Sequence, residues 1–104
     1  MLDYQVTDRS GDEAGIRLRG DLDADVETEH LRKELEHHFI DDGVRVIRVD
    51  VSEVTLIDLE GVSTLVILWR EAHDRGKRFV VDGADGQVRE KLAMTGLLRL
   101  LEEG

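Results

Sequence analysis

The stretch VRVIRVDVSEVTLIDLEGVS, residues 44–63, contains the strongest secondary-structure signal in the chain. Its first part, Val44–Val51, is rich in β-branched side chains, which favour strands. Apolar and polar residues do not alternate strictly there, so we expect an inner strand that is covered on both faces. The stretch then leads into a helical pattern over Gly61–Arg75, which Gly76 ends. A buried strand that leads directly into a helix is typical of an α/β protein.

Strand-like and helix-like patterns also alternate through the rest of the sequence. A short strand, a turn and a second strand predict a hairpin at the start. Helices separate the remaining strands, which predicts parallel pairing through right-handed crossovers. We therefore predict one α/β domain over residues 1–104, with a mixed sheet of about four to five strands and helices packed against it. The predicted strands cover 2–7, 16–20, 44–51 and 79–82, the predicted turn covers 8–15, and the predicted helices cover 24–39, 61–75, 87–95 and 97–101.

The net charge of −10 restricts the classes of partner. Acidic and basic residues are interspersed, so the charge indicates a solvated surface rather than an acidic tail. It argues against nucleic acids, whose binding requires basic patches, and against anionic membranes. The chain has no cysteine and no apolar run close to the roughly 20 residues of a membrane helix, and its start, MLDYQVTDRS, lacks the features of a signal peptide. We expect a cytoplasmic protein.

Three aspartates are the first candidates for chemistry. Asp21, Asp23 and Asp58 follow predicted strands, so their loops could converge at one edge of the sheet. Three carboxylates suggest a magnesium site or general acid–base catalysis. No basic residue or glycine-rich phosphate loop accompanies them, however. We therefore expect a binding protein without a cofactor or metal, rather than an enzyme.

Four histidines are the other candidates, but their spacing is unspecific. His30, Glu34 and His37 or His38 lie on one side of the predicted first helix, an arrangement that could hold a metal ion. The spacing is not that of an HExxH motif, and no matching ligand is evident elsewhere. We expect solvated histidines.

The junction between strand and helix has the composition of a helix start. Asp58 is suited to the N-cap position, where its carboxylate would accept from the N–H of Glu60 or Gly61. Glu60 would lie in the first turn, where the helix dipole favours a negative charge. Gly61 allows a neighbouring segment to approach the backbone closely. Two carboxylates at this position would repel a phosphate group, so we expect no anion site here.

The helix after the junction has a second apolar feature besides its core face. Ile67 is predicted to point away from the core, on the same side as Ser63. A single exposed isoleucine is ordinary, but beside a functional loop it could also anchor a protein partner. Both interpretations remain open from the sequence.

Four segments together resemble the STAS domain, and most closely the anti-sigma-factor antagonists of bacterial partner-switching systems. They are GDLD at 20–23, VDVSEVTLID at 49–58, Gly61, and MTGLLRLL at 94–101. The resemblance covers nearly the whole chain and implies the same order of strands and helices as the patterns above. It implies a protein that docks on an anti-sigma factor, usually a kinase of the histidine-kinase-like ATPase fold, and thereby frees a sigma factor.

The resemblance also implies a phosphorylated serine in a D-S-x-G loop, and this chain departs from it there. Asp58 and Gly61 match the motif, but Leu59 occupies the position of the serine. Because leucine cannot accept phosphate, we expect docking that is not switched at this position, with Ser63 as an alternative phosphorylation site. The candidate docking surface comprises Asp21, Asp23, Asp58, Leu59, Glu60, Gly61, Ser63 and Ile67.

Two other functions remain open. STAS domains also serve as accessory or scaffold subunits of lipid-transport and signalling complexes, a role that needs no phosphorylatable serine. A nucleotide-binding module is disfavoured by the acidic junction. The exposed Ile67 and the short first strand also allow a homodimer.

Overall fold

Four strands lie side by side in chain order and form one mixed sheet. The computed structural model describes residues 1–104, with the side chain of Asp8 excepted. The first two strands pair antiparallel, and the second, third and fourth pair parallel. The predicted mixed sheet with parallel crossovers is therefore confirmed. The strands are β1 (Leu2–Ser10), β2 (Glu13–Leu22), β3 (Val46–Ile57) and β4 (Arg78–Asp82).

The helices follow the predicted order, with one difference near the start of the chain. They are α1 (Thr28–Glu34), α2 (Glu36–Ile40), α3 (Leu59–Asp74), α4 (Gly86–Met94) and α5 (Leu98–Glu103). The single helix predicted over 24–39 is two helices, because Leu35 (φ −93°, ψ −4°) interrupts the regular geometry. Leu31, Leu35 and Phe39 are nevertheless all buried, as their spacing predicted. In the part of the chain that the structure describes, no helix combines the length and apolar character that crossing a membrane requires.

The hairpin is tighter than its composition predicted. Residues 8–15 were predicted as a turn, but only Gly11 and Asp12 separate β1 from β2. Gly11 has φ +60°, a conformation that glycine adopts without strain. The prediction was wrong because the ends of the two strands, residues 8–10 and 13–15, are rich in polar and small residues and so have the composition of a turn.

Along β3 only one face is buried in the core, which corrects the prediction of an inner strand buried on both faces. Ile47, Val49 and Val51 of β3 are buried among the helices, whereas Arg48 between them is exposed. Val80 of β4, opposite Arg48, is buried on the other face, which otherwise carries cross-strand ion pairs. These are Arg17–Asp50 at 3.1 Å, Arg19–Glu53 at 3.3 Å and Arg48–Glu13 at 2.7 Å. The half-buried Val46 beside Ile47 had concealed the alternation.

The long strand β3 determines where the junction lies. Its pairing with β4 ends at Asp50, opposite Asp82. Its pairing with β2 continues to Ile57, opposite Leu22. The last seven residues of β3 therefore extend past β4, and the segments that follow β2 and β3 leave the sheet together.

Candidate protein-docking site

The backbone brings the two acidic loops into contact at the carboxyl ends of β2 and β3. Leu22 pairs with Ile57 in register, and the N–H of Asp58 donates to the carbonyl oxygen of Leu22 at 3.4 Å. One residue earlier, Asp21 lies opposite Leu56. Asp21 lies in β2 rather than in the predicted loop, and Asp23 follows the strand, so the two residues flank the strand end beside which Asp58 begins the next helix.

Asp58 is the N-cap of α3. Its backbone is extended (φ −114°, ψ −174°), and its Oδ1 accepts from the N–H of Gly61 at 2.9 Å. The carbonyl of Asp58 accepts from the N–H of Val62 at 3.0 Å, which is the first helical bond. The predicted cap is confirmed, with Gly61 rather than Glu60 as the donor.

Gly61 has no space for a side chain. A Cβ atom at this position would collide with the carbonyl oxygen of Leu22 and would lie 2.9 Å from Cγ1 of Ile57. The first turn of α3 therefore packs directly against the end of β2. This close approach fixes the start of the helix relative to both strands.

Leu59 is the first residue of α3, and its side chain is 63% exposed. Glu60 beside it is also exposed. Leu56, at the end of β3, is 44% exposed and adds a second apolar side chain near the junction. The sequence did not indicate Leu56, because the neighbouring Val54 and Ile57 are equally apolar and the pattern does not distinguish the exposed side chain from the buried ones.

The acids do not share one site. Asp21 accepts from the hydroxyl of Thr55 at 3.3 Å, whereas Oδ1 of Asp23 accepts from the N–H of Asp25 at 3.0 Å. Asp58 is engaged by Gly61. Among the side chains that the structure describes, no three histidine, cysteine, aspartate or glutamate groups lie close enough to hold a metal ion.

The outer face of α3 extends the site away from the loop. Ser63 is exposed, and Ile67, one turn further along the helix, is 48% exposed. Both line a shallow, mostly apolar groove of about 300 Å³. Its other lining residues are Val62, Val66, Arg70 and Leu97. The predicted outward orientation of Ile67 is confirmed.

Gln87 of α4 is part of the junction, although no sequence pattern indicated it. Its side-chain Nε2 donates to the carbonyl of Ile57 at 2.9 Å, and its Oε1 accepts from the N–H of Ile57 at 3.0 Å. Local sequence showed only that Gln87 lies at a helix start. The contact joins residues that are far apart in the chain.

The histidines are not all solvated, which corrects one prediction. His38 of α2 is buried, and its Nε2 has no hydrogen-bond partner among the described residues. Burial lowers the pKa of the His38 imidazole, and the charges of His37 and Arg9 lower that pKa further, while Asp41 opposes the shift. His38 precedes β3, so it lies away from the junction at the strand's other end.

Comparisons with known proteins agree with this architecture. Residues 6–102 match the family model described as Mlab, STAS domain. An anti-sigma-B factor antagonist of Listeria monocytogenes is 24% identical over 101 residues, which cover 97% of this chain and 87% of that protein.

Solved structures show the same fold at low sequence identity. The anti-sigma factor antagonist SpoIIAA in its unphosphorylated form has a TM-score of 0.76 and 22% identity, with 93% of this chain and 84% of that chain covered. A sulfate transporter family protein from Wolinella succinogenes has a TM-score of 0.71 and 20% identity, with 88% of this chain and 72% of that chain covered. Because the family model spans nearly the whole chain and the fold agrees, the protein belongs to the STAS domain family.

Proposed function

We propose that this protein is an anti-sigma-factor-antagonist-like binding module of a partner-switching pathway, and that its docking is not switched at residue 59. The observation that carries the proposal is the exposed Leu59 at the first position of α3, between the cap Asp58 and the buried Gly61. The framework of a D-S-x-G loop is present, and the phosphate acceptor is absent. Residues 1–104 act as one domain in this proposal.

The physical difference between leucine and phosphoserine supports constitutive docking. A phosphoserine brings about 1.5 to 2 negative charges, which cost desolvation and repulsion in an interface. Leu59 brings apolar surface instead, and full burial of a leucine side chain contributes about 1.5–3 kcal/mol. Glu60 supplies one charge nearby, but it does so permanently.

The proposed partner is an anti-sigma factor of the histidine-kinase-like ATPase fold, met in the cytoplasm. The name of the Listeria relative, anti-sigma-B factor antagonist, supports this class of partner. The net charge of −10 disfavours nucleic acids and anionic membranes as partners, whereas it would speed association with a basic protein surface. No cofactor, metal or catalytic step is part of the proposal.

Ser63 offers a variant in which regulation has moved along the helix. Its hydroxyl is exposed one turn after Leu59 and lines the same groove as Ile67. A phosphate there would place charge inside the proposed interface. A phosphopeptide map of the protein from its native cells tests the variant, which is wrong if Ser63 carries no phosphate under any growth condition.

Capture of partners from native cells tests the proposed function. We compare the wild type with Leu59→Asp and with a control, Ile40→Asp. Ile40 is 60% exposed, similar to Leu59, but it ends α2 and precedes the start of β3 at the other end of the sheet. The wild type and Ile40→Asp should capture a kinase-like anti-sigma factor that Leu59→Asp loses. Equal capture by all three proteins would overturn the docking role of Leu59.

An accessory or scaffold role in a lipid-transport or signalling complex is the second candidate function. It is favoured by the description of the matched family model as Mlab, STAS domain, and by the lack of a hydroxyl at residue 59. Subunits of a transport or signalling complex would then replace the anti-sigma factor among the captured proteins. Sedimentation of the purified chain separately tests whether it forms a homodimer.

A further inference from the structure

The end of β3 has a side without a neighbouring strand. Pairing with β4 stops at Asp50, and the chain then turns away at Gly83, which has φ +79°. Along a strand, the backbone groups of successive residues point to alternate sides. Asp58 donates towards β2, so the N–H and carbonyl of Ile57 point to the side that β4 has left. Ile57 is buried, and buried backbone groups without partners are unfavourable.

The side-chain amide of Gln87 occupies the place of the missing strand residue. It donates 2.9 Å to the carbonyl of Ile57 and accepts at 3.0 Å from the N–H of the same residue. One amide group thus satisfies both backbone groups. Glutamate could not donate to the carbonyl, and asparagine is one methylene shorter, so the pairing requires glutamine at this position.

Helix α4, which carries Gln87, is anchored in the core. Val88 and Leu92 on its inner face are buried in the core, which limits movement of the helix. Ile57 directly precedes the cap Asp58. Its Cγ1 atom also packs against Gly61, where it would lie 2.9 Å from an added Cβ. Gln87 therefore connects a core helix to the residue from which the junction departs.

We propose that Gln87 is the positioning residue of the candidate docking surface: its amide holds the end of β3 and thereby sets the position of Asp58 and Leu59. The effect on partner binding rests on the proposed function. The structural part of the proposal does not, because it concerns the free protein alone.

The wild-type protein offers a direct test by nuclear magnetic resonance. The sequence contains two side-chain amides, those of Gln5 and Gln87, and no asparagine. Gln5 is exposed on β1 and makes no side-chain hydrogen bond among the described residues, so its amide protons should exchange with solvent freely. Although Gln87 is also exposed, the Nε2 proton that donates to the carbonyl of Ile57 should exchange roughly tenfold or more slowly. Equally fast exchange of both side-chain amides would overturn the proposal.

Two variants and a charge-matched control extend the test. Gln87→Met keeps the length of the side chain without its hydrogen bonds, and Gln87→Glu adds a charge that Gln5→Glu also adds. In Gln87→Met, exchange of the Ile57 N–H should accelerate roughly tenfold, while that of Val49 in the centre of β3 stays unchanged. Gln87→Glu keeps an oxygen that accepts from this N–H and loses only the donor to the carbonyl of Ile57, so exchange should accelerate less in this variant. Gln5→Glu should behave as the wild type. Wild-type exchange at Ile57 in Gln87→Met would contradict the positioning role.

Measurements of partner affinity test the role of Gln87 separately from the proposed docking role of the junction. Gln87→Met should weaken binding of the captured partner roughly tenfold, since the docking residues are displaced, and should also lower the thermal midpoint, since two backbone groups of the buried Ile57 lose their partners. A merely structural role would lower the midpoint and leave the affinity of the folded protein intact. Fast exchange at Ile57 combined with normal affinity in Gln87→Met would overturn the positioning of the docking surface by Gln87, whereas normal affinity in Leu59→Asp would overturn the proposed docking role of the junction.

Discussion

The carboxylate of Asp58 accepts a hydrogen bond of 2.9 Å from the backbone N–H of Gly61, and this contact starts α3. The same two residues are those that match the D-S-x-G loop. They retain structural roles that do not depend on phosphorylation, since one caps the helix and the other allows the helix to contact β2. In the proposed function, the architecture of the loop therefore persists with Leu59 at the position of the serine.

Replacement of Asp58 by alanine should destabilise the protein by about 1 kcal/mol, because the N–H of Gly61 loses its acceptor. Asp58→Asn should retain most of the stability, since an amide oxygen also caps. Asp85 offers a matched control: it is the N-cap of α4 but makes no side-chain capping bond. Urea unfolding measures all three variants. Equal losses for Asp58→Ala and Asp85→Ala would show that the capping bond does not stabilise the fold.

Gly61→Ala should destabilise the protein, although alanine usually stabilises a helix relative to glycine. At an open helical position Gly→Ala stabilises by about 0.8–1.0 kcal/mol. At Gly61 the new Cβ would collide with the backbone of Leu22, so we expect a loss of about 1–3 kcal/mol. The exposed Ser63→Ala on the same helix should stay within about 0.5 kcal/mol of the wild type. Chemical denaturation measures whether the free energy of unfolding falls or rises in each variant. A more stable Gly61→Ala protein would contradict the close packing.

Burial of His38 should make the fold less stable as the pH falls. The pKa of the folded His38 imidazole is lowered from its usual 6.5, mainly by desolvation. The unfolded chain therefore takes up a proton first, and stability that is fully present above about pH 6.5 declines as the pH falls towards the folded pKa. The free energy of unfolding should depend less on pH between about 7.5 and 5.5 in His38→Leu than in the wild type. Replacement of the exposed His30 by glutamine provides the control, and an unchanged slope in His38→Leu would refute the assignment.

Ile67 should contribute to partner binding through the groove that it shares with Ser63. Ile67→Glu should weaken the complex roughly tenfold or more, because a charge replaces an apolar anchor. Ile40→Glu makes the same change at an exposed isoleucine at the end of α2 and should bind as the wild type. Isothermal titration with the captured partner measures both affinities. Equal affinities would restrict the docking surface to the loop itself.

Features that depend on local chemistry were predictable from the sequence. The cap at Asp58, the close approach at Gly61 and the outward direction of Ile67 each follow from a residue type at a fixed position in one helix. The order of strands and helices followed from alternating patterns, since each element carries its own periodicity.

Features that depend on distant or competing contacts were not predictable. Gln87 contacts Ile57 across thirty positions of the sequence, and neither residue has a local signal for the other. The break at Leu35 arises although its apolar spacing continues through both helices. The polar face of β3 was missed because the half-buried Val46 on that face makes the alternation of apolar and polar residues look irregular along the strand.

In our proposal, docking persists because residue 59 cannot be phosphorylated. The most direct measurement incubates the captured kinase-like partner and ATP with the wild type and with Leu59→Ser, followed by intact mass spectrometry and an affinity measurement of each product. We predict that the wild type gains no phosphate and stays bound, whereas Leu59→Ser gains one phosphate and dissociates. A wild-type protein that is phosphorylated and released, or a Leu59→Ser protein that is neither, would contradict the account.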